Sequence, residues 1–314
     1  MNGLHLISTG RCLPARAVTN EEMSQYVETS DEWIASRTGI RQRYFCGENE
    51  GNISLASGAA RRALERAAIS PDQIGLCIVA TFTPEHATPS VACMVQRTLG
   101  LPEDIPAFDV NAACSGFLYS LSVASAMLPG LSRPYALLIG SEVISRMLDM
   151  TDRATCVLFG DGAGAAIVKF SPDHPFTSVL GARGEAESLG CPGWGADGAH
   201  KVYMDGKAVF RFAVETVPRC IDETLAKAGL TLSDINHVVC HQANARIIRH
   251  VERKLHAPEG QFYMNVDRYA NTSAASIPLA LDEMNEQGLL TPGKRILCVG
   301  FGAGFTWGGA LLTL

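Results

Sequence analysis

Residues 135–140 (Tyr-Ala-Leu-Leu-Ile-Gly) and residues 295–300 (Arg-Ile-Leu-Cys-Val-Gly) are two short apolar runs, about 160 positions apart, that each end in glycine. Three further pairs of segments match at offsets between 142 and 161: 66–74 with 227–235, 99–110 with 255–266, and the glycine-rich 160–168 with 302–312. Uninterrupted runs of Val, Ile and Leu are typical of strands that are buried on both faces. The repeat therefore predicts two homologous halves in which strands alternate with helices.

Two such halves form an α/β fold when their sheets pack with helices between and outside them. We place the boundary at the proline-containing segment 171–175, which interrupts the apolar pattern and gives halves at residues 1–170 and 171–314. A second irregular stretch, 190–198, is rich in glycine and contains proline. It is expected to be a surface loop, and a place near the mouth of a ligand site is the alternative.

Composition limits the class of protein. The chain has 314 residues, of which 47% are hydrophobic, so it can bury a large core. No apolar run is long enough to span a bilayer and the N-terminus lacks the apolar region of a signal peptide, so no membrane association is expected. The ten cysteines include no Cys-x-x-Cys pair, which indicates a reduced, cytoplasmic protein without a metal site. The net charge of −6 argues against a nucleic-acid partner.

Cys114 lies in the segment 111–117 (Asn-Ala-Ala-Cys-Ser-Gly-Phe), between a strand-like run at 105–110 and a helix-like run at 117–127. A thiol at such a turn is expected to be exposed at a helix N-terminus. The first amide groups and the helix dipole there favour the thiolate and lower the thiol pKa. The small neighbours leave room for a substrate, as in other turns that carry a nucleophile. The alternative is a buried core cysteine.

Two later segments favour the nucleophile. His241 directly follows the apolar run 237–240, at the carboxyl end of a predicted strand, where open α/β sheets bind ligands. Asn271 lies in a polar turn of small residues, 269–276, that opens a predicted helix. Taken alone, His241 could be a core histidine and Asn271 a helix N-cap. Together with Cys114, the three residues indicate a catalytic site.

With these motifs the chain resembles the β-ketoacyl-acyl-carrier-protein synthase III family of the thiolase superfamily, whose members start type II fatty-acid synthesis. The resemblance covers nearly the whole chain and includes further motifs at 29–34, 37–40, 159–166 and 300–308. It implies a thiolase-like fold in which the two βα halves form five layers, in the order α-β-α-β-α. It also implies an acyltransferase that condenses an acyl-CoA primer with malonyl-acyl-carrier protein.

The resemblance implies a role for each site residue. Cys114 would take the acyl group from acyl-CoA, and malonyl-acyl-carrier protein would then lose CO₂ and attack the acyl-cysteine. His241 and Asn271 would donate hydrogen bonds to the enolate oxygen, with an acid–base role as the alternative for His241. The backbone N–H groups of Cys114 and Ala303 would hold the oxyanion of the acyl-transfer step. Acyl-CoA is a substrate in this scheme, and no cofactor is expected.

The glycine runs at 160–164 and 300–304 lack the spacing of a dinucleotide-binding loop, so close backbone packing explains them better. For CoA, the family resemblance implies adenine stacking on Trp33 and phosphate or base contacts from Arg37 and Arg153. It implies pantetheine contacts from Gly206 and Asn244. The charged neighbours of Trp33 indicate partial exposure, and an ordinary core aromatic is the alternative.

A basic helix is predicted from about residue 244 to residue 255, directly after His241. Its cations form a local excess in an acidic chain, and most of them share one face; they are Arg246, Arg249, Arg253 and Lys254. Such a face would steer an acidic carrier protein towards the site. The alternative is a solvated helix face without a partner.

Thr88 lies in the segment 86–90 (His-Ala-Thr-Pro-Ser). In the family this position contributes to the floor of the primer pocket across a homodimer interface, and acetyl-specific members carry phenylalanine there. The resemblance therefore implies a homodimer, and threonine at this position predicts that primers longer than acetyl are accepted. Two alternative functions are a related condensing enzyme of secondary metabolism, such as one that makes a polyketide starter, and a non-catalytic thiolase-like subunit. The presence of Cys114, His241 and Asn271 argues against the latter.

Overall fold

The computed structural model describes residues 3–193 and 200–314. Its first-half strands are β1 (His5–Cys12), β2 (Arg16–Thr19), β3 (Gln42–Phe45), β4 (Ile74–Ala80), β5 (Ala107–Val110), β6 (Tyr135–Glu142) and β7 (Gly162–Lys169). The later strands are β8 (Thr177–Glu185), β9 (Leu189–Gly190), β10 (Tyr203–Met204), β11 (His237–Cys240), β12 (Phe262–Tyr263), β13 (Arg295–Gly302) and β14 (Gly304–Thr313). The part of the predicted loop from residue 194 to residue 198 lies outside the described residues.

The helices alternate with these strands. Those of the first half are α1 (Asn20–Met23), α2 (Asp31–Thr38), α3 (Asn52–Ala67), α4 (Val91–Leu99), α5 (Gly116–Met127) and α6 (Arg153–Cys156). Those of the second half are α7 (Gly206–Ala228), α8 (Ala245–Lys254), α9 (Val266–Tyr269) and α10 (Ser276–Glu286). Short 3₁₀ turns, Ala113–Ser115 and Ser273–Ala275, precede α5 and α10.

The two large sheets have the same strand order. One sheet runs β1-β7-β6-β4-β5 and the other runs β8-β14-β13-β11-β12. In each, the third strand pairs parallel with the fourth and antiparallel with the second. The repeated segments 135–140 and 295–300 form β6 and β13, which occupy equivalent central positions. The prediction of two homologous βα halves is therefore confirmed, while their division at residue 170 stays a prediction.

The halves pack in five layers. Helices α5 and α10 lie between the sheets, α3 and α4 cover the outer face of the first sheet, and α7 and α8 cover the outer face of the second. Neighbouring residues of β6 pack on opposite faces of the first sheet. Leu138 packs against the helices between the sheets, and Leu137 packs against the outer helices. Burying such a side chain contributes about 1.5–3 kcal/mol. The predicted α-β-α-β-α arrangement is confirmed.

In addition to the apolar residues of these layers, a separate apolar cluster lies at one end of the sheets. It combines β2, β3 and the short helices, with Ile34, Val157 and Phe159 among its buried members. The buried Arg43 guanidinium crosses it and donates to Val157 O at 2.8 Å. Desolvation lowers the pKa of Arg43 to about 10. This cluster fixes α2 and α6 near the ends of the central strands.

Across residues 3–193 and 200–314, no helix combines the length and the hydropathy that are needed to cross a bilayer.

Candidate active site

Cys114 lies in the 3₁₀ turn between β5 and α5, as the sequence pattern predicts. It is not exposed, however: its exposed fraction is 9%, and it lines the wall of a cavity. Desolvation raises the pKa of its thiol to about 12, which corrects the expected lowering. The start of α5 does not compensate for the loss of hydration around a charged sulfur. Burial therefore favours the neutral thiol of Cys114.

An equivalent turn from the other half faces Cys114. Ala113 and Ser273, the first residues of the two 3₁₀ turns, have φ values of 47° and 50°. In each turn an asparagine two residues earlier accepts from this backbone amide, Asn111 Oδ1 at 3.2 Å and Asn271 Oδ1 at 2.9 Å. The pseudo-symmetry of the halves thus brings two matching turns to one place.

His241 follows β11 and is buried in the same cavity wall. Its Nδ1 lies 2.7 Å from Ser276 Oγ, which also accepts from Gln242 N at 3.3 Å. The Ser276 hydroxyl can donate its hydrogen to Nδ1. In that arrangement the imidazole hydrogen lies on Nε2. Desolvation lowers the pKa of His241 to about 3, which favours the neutral ring.

Asn271 is held through its backbone. Its N–H donates to Leu158 O at 2.9 Å, and its carbonyl accepts from Gly160 N at 3.0 Å. Since Oδ1 accepts from Ser273 N, the side-chain amide can orient in one way only. Asn271 Nδ2 makes no hydrogen bond within the described part of the chain and borders the cavity. The N-cap alternative is wrong, because α10 begins five residues later.

Backbone donors come from both halves. Gly302 lies against the Cys114 turn so closely that a Cβ on it would be 2.6 Å from Cys114 N. Thr306 Oγ1, in the hairpin after it, donates to Ala112 O at 2.9 Å. Ala303, between them, borders the cavity and has no positive φ. The alanine is therefore accommodated without strain at this turn.

The cavity has a volume of about 800 Å³ and joins residues from distant segments. Its lining includes Cys114, His241, Asn271 and Ala303. The predicted CoA contacts also line it, namely Trp33, Arg37, Arg153, Gly206 and Asn244. Residues 190–192 of the irregular loop line it as well, which supports the alternative that the loop lies near a ligand mouth.

Two guanidinium groups flank the partly exposed Trp33 ring. The Cζ atom of Arg153 lies 4.7 Å from the ring centroid and that of Arg37 lies 5.7 Å away. Such contacts are cation–π interactions. Asn244 is more constrained: its Oδ1 accepts from Arg246 N as the N-cap of α8, and its Nδ2 donates to Arg37 O at 3.2 Å. Asn244 therefore orients Arg37 in addition to bordering the cavity.

The predicted basic helix is α8. Its apolar residues are buried, and Arg246, Arg249 and Arg253 line one groove of about 770 Å³. Lys254 does not line this groove, because its Nζ donates to Val214 O at 3.3 Å, on α7. The residue Phe210 lines both the groove and the cavity, so the two adjoin.

Thr88 is exposed and does not line the cavity of its own chain in the ranges that the structure describes. It lies just before α4, whose first amides, of Val91 and Ala92, donate to Asp109 on β5 at 2.8 Å each. Thr88 is thus close to the edge strand of the first sheet.

Sequence reasoning missed several residues of the site. Phe301 packs edge-on against the His241 ring, with 5.7 Å between centroids. Ser276 holds His241, and Ser273 and Glu142 lie behind Cys114. Phe301 could have been found as the apolar residue between two glycines at a strand end. The two serines and Glu142 carry no local signal.

Models of one protein family match both halves of the chain. Residues 108–186 match 3-oxoacyl-[acyl-carrier-protein (ACP)] synthase III, and residues 225–314 match the C-terminal part of the same family. A β-ketoacyl-[acyl-carrier-protein] synthase III of Rhizorhabdus wittichii is 48% identical over 314 residues, covering 98% of both chains. One of Clostridium acetobutylicum is 44% identical over 323 residues, covering 99% of both.

Solved structures show the same similarity. The 3-oxoacyl-[acyl-carrier-protein] synthase III of Aquifex aeolicus superposes with a TM-score of 0.94 at 40% identity, over 99% of this chain and 100% of that one. The priming β-ketosynthase of the R1128 polyketide pathway superposes with a TM-score of 0.93 at 36% identity, over 99% and 96%.

Proposed function

The chain belongs to the 3-oxoacyl-[acyl-carrier-protein] synthase III family, and we propose that it acts through Cys114, His241 and Asn271. It is an acyltransferase that initiates fatty-acid synthesis by condensing an acyl-CoA primer with malonyl-acyl-carrier protein. One observation carries the assignment of residues. A thiol, a neutral imidazole donor and a free amide donor, from three separate segments, meet in one cavity whose wall also carries Trp33.

In the first half-reaction, the sulfur of Cys114 attacks the thioester carbonyl of acyl-CoA. A bond forms between this sulfur and the acyl carbon, and the CoA thiolate leaves. After the new bond has formed and before the CoA thiolate leaves, the carbonyl oxygen carries a negative charge. The N–H groups of Cys114 and Ala303, which the close contact of Gly302 brings together, are suited to hold it.

In the second half-reaction, the malonyl group loses CO₂ and negative charge develops on its thioester oxygen. His241 Nε2–H and Asn271 Nδ2–H can both donate to that oxygen, since their remaining polar atoms are already occupied. The carbanion then attacks the acyl-cysteine and releases the thiolate. One such donor is worth about 3–4 kcal/mol of barrier. No step of this sequence calls for a cofactor.

For CoA, the Trp33 face and the two arginines offer a stacking surface with adjacent positive charge. An adenine stacked on the Trp33 ring would move one guanidinium group away from the ring. The base would then lie between the ring and that guanidinium group. The displaced arginine would remain within reach of a phosphate. Cys114 lines the same cavity as Trp33, as a pantetheine arm that delivers a thioester requires.

For the carrier protein, the groove along α8 is the proposed docking surface. Three exposed arginines line it, and Glu252 and Glu259 offset part of their charge. Because Phe210 separates the groove from the cavity, a phosphopantetheine arm attached to a carrier bound there enters close to the site. Acidic proteins are steered to such surfaces by long-range attraction. Lys254 is left out of this surface.

We also propose a homodimer formed at β5. This strand pairs with β4 on one side only, and its residues are partly exposed. Unpaired strand edges are templates for pairing with another chain. A second copy paired there would cover Thr88, which Asp109 and α4 tie to this edge. Thr88 would then contribute to the partner's primer pocket, where threonine leaves more room than phenylalanine.

Incubation with acetyl-CoA followed by intact mass measurement tests the function. We expect one acetyl adduct, located on Cys114 by peptide mapping, and its conversion to 3-oxoacyl product when malonyl-acyl-carrier protein is added. An adduct on another cysteine, or none with any acyl-CoA from two to eight carbons, would contradict the proposal. Replacing malonyl-acyl-carrier protein by malonyl-CoA tests the choice of extender.

A further inference from the structure

Glu142 is a buried acid that the condensation described above does not use. It is the last residue of β6, has no exposed surface, and lies behind the turn that carries Cys114. Desolvation raises the pKa of its carboxyl to about 7, although hydrogen bonds from Thr83, Phe82 and Thr81 oppose the shift. A carboxyl group with this pKa changes charge near neutral pH, as a general base must.

The hydrogen bonds of Glu142 are unequally divided between its oxygens. Oε2 accepts from Thr83 Oγ1 at 2.6 Å, from Thr81 Oγ1 at 3.0 Å and from Phe82 N at 3.2 Å. Oε1 receives only the longer contact from Phe82 N, at 3.4 Å. Oε2 is therefore saturated, and Oε1 retains the capacity to accept a further hydrogen.

Ser273 is the residue placed to use that capacity. Its exposed fraction is 1%, and its hydroxyl makes no hydrogen bond of ordinary length and angle within the described residues. It nevertheless lies near enough to lower both the pKa of Glu142 and the pKa of Cys114. An unpartnered buried hydroxyl is costly, so its place between two ionisable groups calls for a reason.

The backbone explains how Ser273 reaches this position. Gly140, two residues before Glu142, packs under the second 3₁₀ turn so closely that a Cβ on it would lie 2.2 Å from Ala274 O. The positive φ of Ser273 then turns the chain over the end of β6. Thus the first half supplies the thiol and the acid, and the second half supplies the hydroxyl between them.

Among the residues that the structure describes, no Lys, Arg or His is one of the main groups that shift the pKa of Glu142. On the loop after β4 it meets two threonine hydroxyls and the Phe82 amide, and Asn52 of α3 bonds to those threonines at 2.9 and 3.1 Å. The titratable neighbour is Cys114, whose pKa the Glu142 charge raises. The state in which either Cys114 or Glu142 is ionised is therefore more favourable than the state in which both are ionised.

His241 is the other candidate for a base, and it is the weaker one. Its Nδ1 is engaged with Ser276, and burial lowers the pKa of His241 while it raises the pKa of Glu142. The Glu142 carboxylate is therefore the stronger proton acceptor of the two. His241 can then remain a neutral donor throughout the cycle.

We propose that Ser273 and Glu142 form a proton relay that ionises Cys114 for acyl transfer. The thiol proton passes to Ser273 Oγ while the Ser273 hydroxyl proton passes to Glu142 Oε1. The resulting thiolate forms its bond to the acyl carbon, and the carbon–sulfur bond to CoA breaks. The proton on Glu142 returns through Ser273 to the departing CoA sulfur. This inference rests on the proposed role of Cys114 as nucleophile.

The test is the pH dependence of alkylation at Cys114 by iodoacetamide, followed on the Cys114 peptide by mass spectrometry. In the unaltered protein the rate should rise to a plateau above about pH 7. In Glu142→Gln, which keeps an acceptor oxygen, and in Ser273→Ala, the plateau should vanish. The rate at pH 7.5 should fall about 100-fold in either variant, without further loss in the double variant.

Ser125→Ala is the matched control, because Ser125 is also a buried serine whose hydroxyl lacks a partner in the described ranges. It should leave the profile unchanged. A profile in Ser273→Ala that keeps its inflection near pH 7, with a rate within threefold of the unaltered protein, would overturn the relay. This holds even if Glu142→Gln does not fold. Failure of acetyl-CoA to acylate the unaltered protein would instead reject the proposed function, whatever the alkylation shows.

Discussion

The hydroxyl of Ser276 lies 2.7 Å from Nδ1 of His241 and joins the first residue of α10 to the end of β11. The contact spans the central layer and the second sheet, so packing between layers fixes the orientation of the imidazole. When this hydroxyl donates to Nδ1, the imidazole hydrogen lies on Nε2, the donor that the proposed mechanism uses. That donor then depends on a residue that is far from His241 in the sequence.

Ser276→Ala should lower the rate of condensation about tenfold, since one hydrogen bond of about 1–1.5 kcal/mol no longer holds the ring and its tautomer. Acylation of Cys114 should change less than threefold. Both rates are measured separately, with acetyl-CoA alone and with malonyl-acyl-carrier protein added. Ser120→Ala, at a buried serine of α5 that donates to Gly116 O, is the control and should alter neither. Equal loss of both rates would contradict the role of Ser276.

Cys114→Ser should abolish the acyl-enzyme and leave a folded protein. Serine is nearly isosteric, but its hydroxyl is far less acidic than a thiol. Intact mass after acyl-CoA treatment measures the adduct, and thermal unfolding measures the fold. A persistent adduct in this variant would move the nucleophile to another cysteine, such as Cys156 or Cys240.

His241→Ala and Asn271→Ala should still acylate Cys114 and should lose condensation by about 10²–10³-fold each. The reason is that enolate charge appears only after malonyl-acyl-carrier protein has lost CO₂. Release of CO₂ and formation of the acyl-enzyme are measured on the same samples. If both variants remained as stable as the unaltered protein but failed to acylate, the division of roles would be wrong.

Charge reversal of the groove, with Arg246→Glu and Arg253→Glu together, should raise KM for malonyl-acyl-carrier protein about tenfold or more at low salt. KM for acyl-CoA should change less, because the cavity lies beyond Phe210. The effect should shrink as salt screens the charges. Arg61→Glu, at an exposed arginine of α3, is the control for the change in net charge. An unchanged KM at low salt would remove α8 from the docking surface.

Thr88→Phe should narrow the range of primers towards acetyl. Each methylene of a longer primer that is buried in the pocket adds about 0.8 kcal/mol, and a phenyl ring would remove that space. Acylation rates across a series of acyl-CoA lengths measure the range, and sedimentation measures whether the protein is a dimer. Thr98→Phe, at an exposed threonine of α4, is the control. A strict acetyl preference in the unaltered protein, shared by the variant, would contradict the assignment.

The architecture could be predicted from the sequence because its signal is local and repeated. The apolar runs at 135–140 and 295–300 predicted two central strands, and both are found at equivalent positions in sheets of the same order. The positions of Cys114, His241 and Asn271 at turns that border one cavity could also be predicted, while their catalytic roles stay predictions. Those turns meet in space because the halves repeat. The basic face of α8 followed from its spacing alone.

The protonation states could not be predicted in this way. The position of Cys114 at a helix start indicated a lowered pKa, but burial raises it to about 12, and that burial is contributed by β13 and the turn before α10. Likewise, no pattern near Glu142, Ser273 or Ser276 shows that they adjoin the catalytic residues. Local sequence determines which segments become strands, helices and turns. The hydration and hydrogen bonding of a side chain depend on which distant segments pack against it, so only the tertiary structure decided the charges of this site.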